Sequence, residues 1–446
     1  MVAQPSVSYT QVQAWVDNLV PTFTKPQRIA LALLTTCILI AHSLVLAELA
    51  RAFPPPFAAR FRNDRTAHKH MLKRIGRLLG NKALAAQCLG AALARLSIAL
   101  ALQTAQRAYY SALRAADGQR LLPILVDYTE VEDRFVILRA SVLWVGRALP
   151  VLSRAFCWGD LHAAPGRDPA LLSQNKLEDA FLAGLLAALP PLPEGWRYVL
   201  VFDRGFPREG LLAQLARWRR EHPLHPEWAV RLPLRQHLLY QGQLRDTRSF
   251  RVGFGERGWW EGVGYRKGEG AVGNLLVAWE AGPNGKIPKQ GWRVLTSLAG
   301  PEATFGVYYG RMQVEQDFRD QKHLLGLERS GVGVDQRLGK GQARLDSARL
   351  QRLLAGLQLA HLALAALGDE PQLQAVAGRL LRLLTSEERR CGRAARGSRI
   401  FLGLKILREP WHVPEEALQR AWDNLQRLAG AVGRATTPQT AITYAS

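Results

Sequence analysis

The chain has 446 residues and carries 59 Lys and Arg against 37 Asp and Glu, a net charge of +22 with a pI near 10.5. A chain of that length has room for about three domains, and a field of that sign and size favours phosphate backbones over acidic-rich disorder or neutral-surface partners. Four scattered cysteines, Cys37, Cys88, Cys157 and Cys391, include no C-x-x-C pair, which points to a reducing compartment and away from a zinc module.

Residues 1–120 are rich in Ala and Leu and read as helical, broken at Pro54-Pro55-Pro56. No Lys or Arg precedes Lys25, and Asp17 stands in the first stretch, a poor pattern for a secretory signal. Ile29 to Ala47 is apolar and long enough to span a bilayer. Thr35, Thr36, His42 and Ser43 interrupt it, and no second credible span follows, so a buried core helix with no membrane partner is expected. Residues 51 to 120 hold thirteen Lys or Arg against Asp64 and Asp117. Within them, His68 to Leu79 alternates cations, among them Lys73, Arg74 and Arg77, with apolar positions at helical spacing. A basic amphipathic helix of this kind fits a DNA backbone or an anionic membrane.

Leu122-Pro-Ile-Leu-Val-Asp127 and Tyr198-Val-Leu-Val-Phe-Asp203 are both apolar runs ending in an acid. Continuous apolar runs of this length read as buried strands, and an acid at such a strand's end lies at the rim where α/β proteins place their chemistry. Glu130, Glu132 and Asp133 compete with Asp127, but they fall past the apolar run, in a predicted turn before Phe135. A loop through Pro165 to Pro169 and a helix near 176–189 are expected between the two acids. After Asp203 the chain passes through Arg204-Gly205-Phe206-Pro207 into a helix-like segment. Residues 228–298, rich in Val, Tyr, Trp and Gly turns, read as a β-rich insertion. Gly268-Glu-Gly270-Ala-Val-Gly273 matches the dinucleotide pattern, but it precedes the strand-like Asn274 to Trp279 and reads as a hairpin turn. His68 and His70 lack partners at metal spacing, and no G-x-S-x-G elbow occurs.

The densest information lies in Tyr308-Tyr-Gly-Arg311-Met-Gln-Val-Glu315, with Lys322 seven residues on. At roughly 100° per residue, Tyr308, Arg311, Glu315 and Lys322 fall within about 60° of one another on a helix. A carboxylate flanked by phosphate-binding cations suits metal-assisted chemistry on a DNA backbone. Asp317 lies about 180° from Tyr308 on the same projection, which favours Glu315 as the third acid beside Asp127 and Asp203. Beyond, Leu345 to Leu367 is a strongly apolar helix, and Arg389 to Arg408 has seven basic residues and no acid.

This set resembles the DDE transposases of bacterial insertion sequences, specifically the insertion-sequence-four family, whose signature is Tyr-x2-Arg-x3-Glu-x6-Lys. Tyr308, Arg311, Glu315 and Lys322 match it at every position; Val-Asp127-Tyr-Thr129, Gly146-Arg-Ala-Leu-Pro150 and Asp203-Arg204-Gly205-Phe206 resemble the segments around its two aspartates. The likeness covers roughly residues 120 to 365 and is weak in detail outside them. It implies an α/β fold: a ribonuclease-H-like core in two parts (121–227 and 299–367, the second with the signature helix) around the β-rich insertion 228–298. A helical DNA-binding region, 1–120, and a basic helical C-terminal region, 368–446, flank that core. It also implies cut-and-paste transposition: strand cleavage at the element's terminal inverted repeats, then attack of the freed 3′-hydroxyl on target DNA. Asp127, Asp203 and Glu315 are then catalytic and hold two Mg²⁺ ions, with Mn²⁺ as a substitute. Arg311 and Lys322 grip phosphates, Tyr308 donates to one or stacks nearby, and Arg204, Lys73, Arg74 and Arg77 add DNA contacts. Trp292, upstream of the signature in Trp292-Arg-Val-Leu-Thr296, resembles a family tryptophan that receives a flipped base; Trp259 and Trp260 are its rivals. Synapsis of two ends implies a homodimer on DNA, in a bacterial cytoplasm and nucleoid. The competing expectations are a domesticated relative that binds DNA without moving it, and a basic membrane-associated protein.

Overall fold

The computed structural model describes residues 7–54, 63–82, 89–105, 113–131, 135–157, 161, 173–266, 271–281, 287, 290–327, 347–380, 382 and 398–435. The expected loop at 165–169, Glu132, Asp133, residues 268–270 of the Gly268–Gly273 turn and residues 389–397 of the basic stretch Arg389 to Arg408 lie outside these residues.

Ten strands form one sheet: β1 (Arg120–Val131), β2 (Phe135–Trp144), β3 (Arg147–Cys157), β4 (Trp196–Phe202), β5 (Glu227–Arg231), β6 (His237–Tyr240), β7 (Gln243–Asp246), β8 (Arg257–Tyr265), β9 (Val272–Ala278) and β10 (Trp292–Thr296), in the order β3-β2-β1-β4-β5-β10-β9-β8-β6-β7. β1, β2 and β3 are joined antiparallel, whereas β1, β4 and β5 run parallel. The β2–β3 turn places Gly146 at φ 67°, a left-handed conformation that glycine adopts without steric cost. Parallel neighbours need crossovers. The helix Gln174–Ala188 lies on the path to β4, and the helix Glu209–Glu221 carries the chain from β4 to β5. β2 is buried along its whole length, and β4 at every position but its first two, as expected of strands covered on both faces.

The remaining named helices, in chain order with those two, are α1 (Tyr9–Leu19), α2 (Lys25–Ala41), α3 (Leu46–Arg51), α4 (Asp64–Leu79), α5 (Leu89–Ala105), α6 (Gln174–Ala188), α7 (Glu209–Glu221), α8 (Pro301–Gly310), α9 (Met312–Arg319), α10 (Ser347–Asp369), α11 (Arg399–Arg408) and α12 (Glu415–Ala435). α10 is the hub: it packs on α2, α11 and β3. It is the one described helix long and apolar enough to cross a membrane, and 94% of its apolar window is buried within the protein. The apolar stretch from Ile29 is broken at His42, which closes α2 in the left-handed region at φ 51°. Ala32 to Leu39 of α2 are buried within the protein core, as the sequence leads one to expect.

Two features of the architecture were not part of the sequence-based expectation. The stretch 228–298 is β-rich, but β5 belongs to the central strands by its pairing with β4, and β6 to β10 prolong the same sheet. The two ends of the chain also pack on each other: α1 lies on α12, with Trp15 and Trp422 edge-to-face at 6.3 Å. Each of these helices has one apolar face to bury, and they bury it against one another.

Candidate functional site

The parallel register of β1 and β4 runs to Val126↔Phe202, so Asp127 and Asp203 follow at one level on adjacent strands. Asp203 opens a tight turn in which the amide of Phe206 donates to the Asp203 carbonyl, 3.1 Å. The Phe206 ring stacks on Tyr128 at 5.0 Å, tying that turn to the strand residue after Asp127. Tyr128 in turn donates its hydroxyl to Glu178 on α6, 2.6 Å, and Arg208 pairs with Glu178 and Asp179. Burial pushes both the Tyr128 phenol and the Glu178 carboxyl up in pKa. This bracing of the turn against β1 and α6 fixes where the two aspartates point.

α9, which continues from α8, carries the third acid. The last residue of α8, Gly310, approaches β2 so closely that a Cβ would meet Leu143 at 2.6 Å, which lets the helix lie flat on the sheet. Arg311 joins α8 to α9 with helical dihedrals, φ −57° and ψ −31°, so the helical offsets from Tyr308 to Glu315 hold across the junction. Asp320–Leu324 then forms a π turn. The i→i+5 pattern turns the chain less per residue, so the straight projection that aligned half-buried Lys322 with the other three is distorted.

The three carboxylates meet on one guanidinium. Arg311 Nη1 lies 2.7 Å from Asp127 Oδ2, and Nη2 lies 3.2 Å from Asp203 Oδ2 and 3.4 Å from Glu315 Oε1. The Arg311 side chain is 5% exposed, Asp127 17%, Asp203 22% and Glu315 39%, so Glu315 is the acid most open to solvent. The backbone amide of Tyr128 donates to Asp127. Tyr308, fully buried, donates its hydroxyl to Asp203 Oδ1 at 3.1 Å, and Arg231, at the end of β5, reaches the same oxygen at 3.4 Å.

Burial drives the Asp127 carboxyl up to about 6, against the pull of Arg311 and the Tyr128 amide, with Asp203 and Glu315 adding repulsion. Burial also raises Asp203, but Arg311, the Arg204 amide, Arg231 and Tyr308 together outweigh it and hold it below the usual carboxylate range. Burial takes the Tyr308 phenol up to about 12, so it stays a donor at neutral pH. For Arg311 burial opposes the charged form, yet Tyr308 and the three carboxylates raise it above its ordinary value. Asp203 follows the end of β4, but Asp127 lies within β1, which continues to Val131 rather than ending at the acid as expected. The two acids on these adjacent strands have different proton affinities, the pattern of a site rather than of a solvated surface.

Asp127, Asp203, Glu315, Tyr308 and Arg311 are therefore brought together. Tyr308 and Arg311 face the acids from inside, where the sequence reading had assigned them to phosphates. Asp317, on the opposite side of α9, is buried against Arg139 at 3.1 Å and His361 at 3.2 Å, which accounts for it structurally. Arg204 is exposed one residue past Asp203. Glu130 is on β1 itself, paired with Val136, not in a turn. Trp292, half-buried, packs on α8 against Phe305, Tyr308 and Tyr309 at 5.9, 5.3 and 6.2 Å. Trp260 instead meets Phe250 edge-to-face, and Trp259 donates to Glu261. Lys73, Arg74 and Arg77 project from the exposed face of α4, which packs through Met71, Ile75, Leu78 and Leu79. Sequence reasoning missed Arg231; its signal was a cation ending the apolar Trp228-Ala-Val230 run, as Asp203 ends that of β4.

As they stand, no three Asp, Glu, His or Cys side chains among the described residues are grouped to hold one metal ion. Arg311 touches all three acids and supplies the cationic counter-charge. The donor set, carboxylate oxygens with one buried acid of raised proton affinity, has the chemistry that hard divalent cations take. Compared with known proteins, the chain matches no protein-family model and no curated protein.

Proposed function

We propose that this protein is a DNA transposase of the DDE class, cutting at element ends and joining the freed 3′-hydroxyl to target DNA. The observation that carries the reading is the convergence of Asp127, Asp203 and Glu315 on Arg311, from two adjacent parallel strands and one helix. The central order β3-β2-β1-β4-β5, with antiparallel pairing on one side of β1 and parallel on the other, supports a ribonuclease-H-like core. The exposed cations of α4 and the net charge of +22 support a duplex DNA partner, and two ends held together call for a dimer on DNA.

Asp127, Asp203 and Glu315 would hold Mg²⁺ or Mn²⁺, which when bound activates the attacking hydroxyl and steadies the leaving oxygen of an in-line displacement. Tyr308 and Arg231 orient Asp203 by sharing one of its oxygens. Arg311 balances the acids' charge in the resting protein and is a fork suited to a phosphate. Exposed Arg204 and half-buried Lys322 add positive charge for the backbone that must approach three acids. Trp292 is the aromatic platform for an extruded base.

The test is cleavage of the element's own flanking ends by purified protein with Mg²⁺, with EDTA, and with Glu315→Ala. Metal-dependent breaks at the boundary, lost in the variant while DNA binding persists, are expected. Binding without cleavage by the wild type would point instead to a DNA-binding relative that no longer transposes, and neither activity at modest salt would end the nucleic-acid reading.

A further inference from the structure

Beside Asp203 lies a cavity of about 340 Å³ walled by Arg204, Arg231, Arg235 and Arg293, with Leu232, Pro233 and Leu234 as its apolar side. It follows from the topology. β10 runs antiparallel to β5 with Val294 opposite Arg231, so the start of β10 stands at the strand end where Asp203 and Arg204 emerge. The backbone amide of Leu232 donates to the Arg293 carbonyl at 2.8 Å and closes the floor.

The four arginines are held differently. Arg293 is buried, its Nε, Nη1 and Nη2 donating to the carbonyls of Thr247, Gly291 and Phe250 at 2.8, 3.1 and 3.4 Å. The acid whose charge acts on it, Asp246, is already paired with Arg248. Arg231 pairs with Asp203, while Arg204 and Arg235 are exposed. Among the described residues, no acid lines the cavity. Four guanidinium groups around a small volume, one of them fixed by carbonyls, form a site for an anion with planar or tetrahedral oxygens. The apolar side suits a flat, weakly polar group attached to that anion. A volume of 340 Å³ is at the small end of ligand pockets, roughly 300–1,000 Å³.

We propose that this cavity seats one nucleotide of a DNA strand, its phosphate among Arg204, Arg231, Arg235 and Arg293 and its sugar and base against Leu232, Pro233 and Leu234. Arg231 touches both the cavity and Asp203, so the next phosphodiester of that strand is delivered to the carboxylates. The delivery rests on the transposase reading; the nucleotide site does not.

The experiment is calorimetric titration of the full chain, in EDTA, with thymidine 3′,5′-bisphosphate and separately with inorganic phosphate. Wild type is expected to bind the bisphosphate more tightly than phosphate, because the sugar and base add apolar contact. Arg235→Ala, at an exposed position, should weaken it about tenfold, the effect of one charge-assisted hydrogen bond near 1.4 kcal/mol, with an unchanged melting curve. Arg293→Gln should weaken it further. Arg427→Ala, an exposed arginine of α12, should leave it unchanged. No bisphosphate binding by wild type, or equal binding by Arg235→Ala, overturns the site. Equal affinity for bisphosphate and phosphate overturns the nucleotide assignment. If the bisphosphate binds as expected while duplex DNA is neither bound nor cut, the site stands and the transposase reading falls. If DNA is cut but the bisphosphate does not bind, the reverse holds.

Discussion

Replacing Arg311 with methionine keeps an apolar stem of similar reach and removes the one charge shared by three acids. Taking away one member of a buried ion pair costs about 3–5 kcal/mol; the contribution from Glu315, 39% exposed, belongs near the low end expected of solvent-screened pairs. The larger part of the loss depends on pH. In the wild type the Asp127 carboxyl titrates at about 6, above its ordinary 3.8. Its contribution to stability is thus fully present below about pH 4 and lost as pH rises through 6. Without Arg311 it titrates higher still. Between pH 6 and the new value, the folded variant holds a proton that the folded wild type has released, and the variant falls behind by about 1.4 kcal/mol per pH unit. Asp203 adds a loss that persists at lower pH, since Arg311 helps hold it below the usual range. The expected destabilisation is about 1–2 kcal/mol near pH 5.5 and about 3–5 near pH 8. Urea denaturation followed by circular dichroism at several pH values measures it. A loss that does not change with pH would show that Asp127 is not an ionisable partner of Arg311, and the description of the site would be wrong.

On the proposed transposase function, the same acid would set metal binding. Because a carboxylate must be ionised to act as a ligand, Mn²⁺ affinity measured by calorimetry or electron paramagnetic resonance should fall by up to tenfold per unit below about pH 6, and affinity flat from pH 5 to 8 would remove Asp127 from the ligand set. Deeper in the protein, Asp317→Leu leaves fully buried Arg139 without its carboxylate and should cost about 3–5 kcal/mol in denaturation. The double variant with Arg139→Leu should recover most of that loss, whereas additive losses would contradict a pair.

Tyr308, Arg311 and Glu315 were legible as one helical face because their spacing depends only on local geometry, and that geometry survives the α8–α9 junction. What that face looks onto was not legible. A helical projection gives an angle, not the depth at which Gly310 seats the helix on Leu143, so the two residues read as phosphate contacts stand among the acids. The two aspartates were visible because each ends an apolar run, although β1 itself continues past Asp127 to Val131 on its pairing with β2. Arg139 broke such a run and its meaning was hidden, since its partner Asp317 is 178 residues away. Lys322 was aligned by a constant turn per residue, which the π turn at Asp320–Leu324 does not keep. Both ends of the chain read as helical, but nothing local says that α1 will choose α12.

The expectation of a separate insertion missed a consequence of sheet pairing. A β-rich segment that leaves after the fifth central strand and returns antiparallel beside it must bring its last strand back to the same rim. Here β10 returns against β5 with Leu295 opposite Val230 and Thr296 opposite Ala229. Consecutive strand residues point to opposite faces. Trp292 accordingly meets α8 and its Tyr308, while Arg293 turns the other way into the arginine-walled cavity. The segment between β5 and β10 can vary in length without disturbing β1 or β4, because its two ends are fixed by pairing to the central strands; α8 is tied to it through Arg257 of β8, which pairs with Glu302 and lies over the Phe305 ring. Its first residues, Leu232 to Arg235, and its last, Gln290 and Gly291, remain walls of the site. A change there would alter what reaches Asp203 before it alters whether the sheet folds.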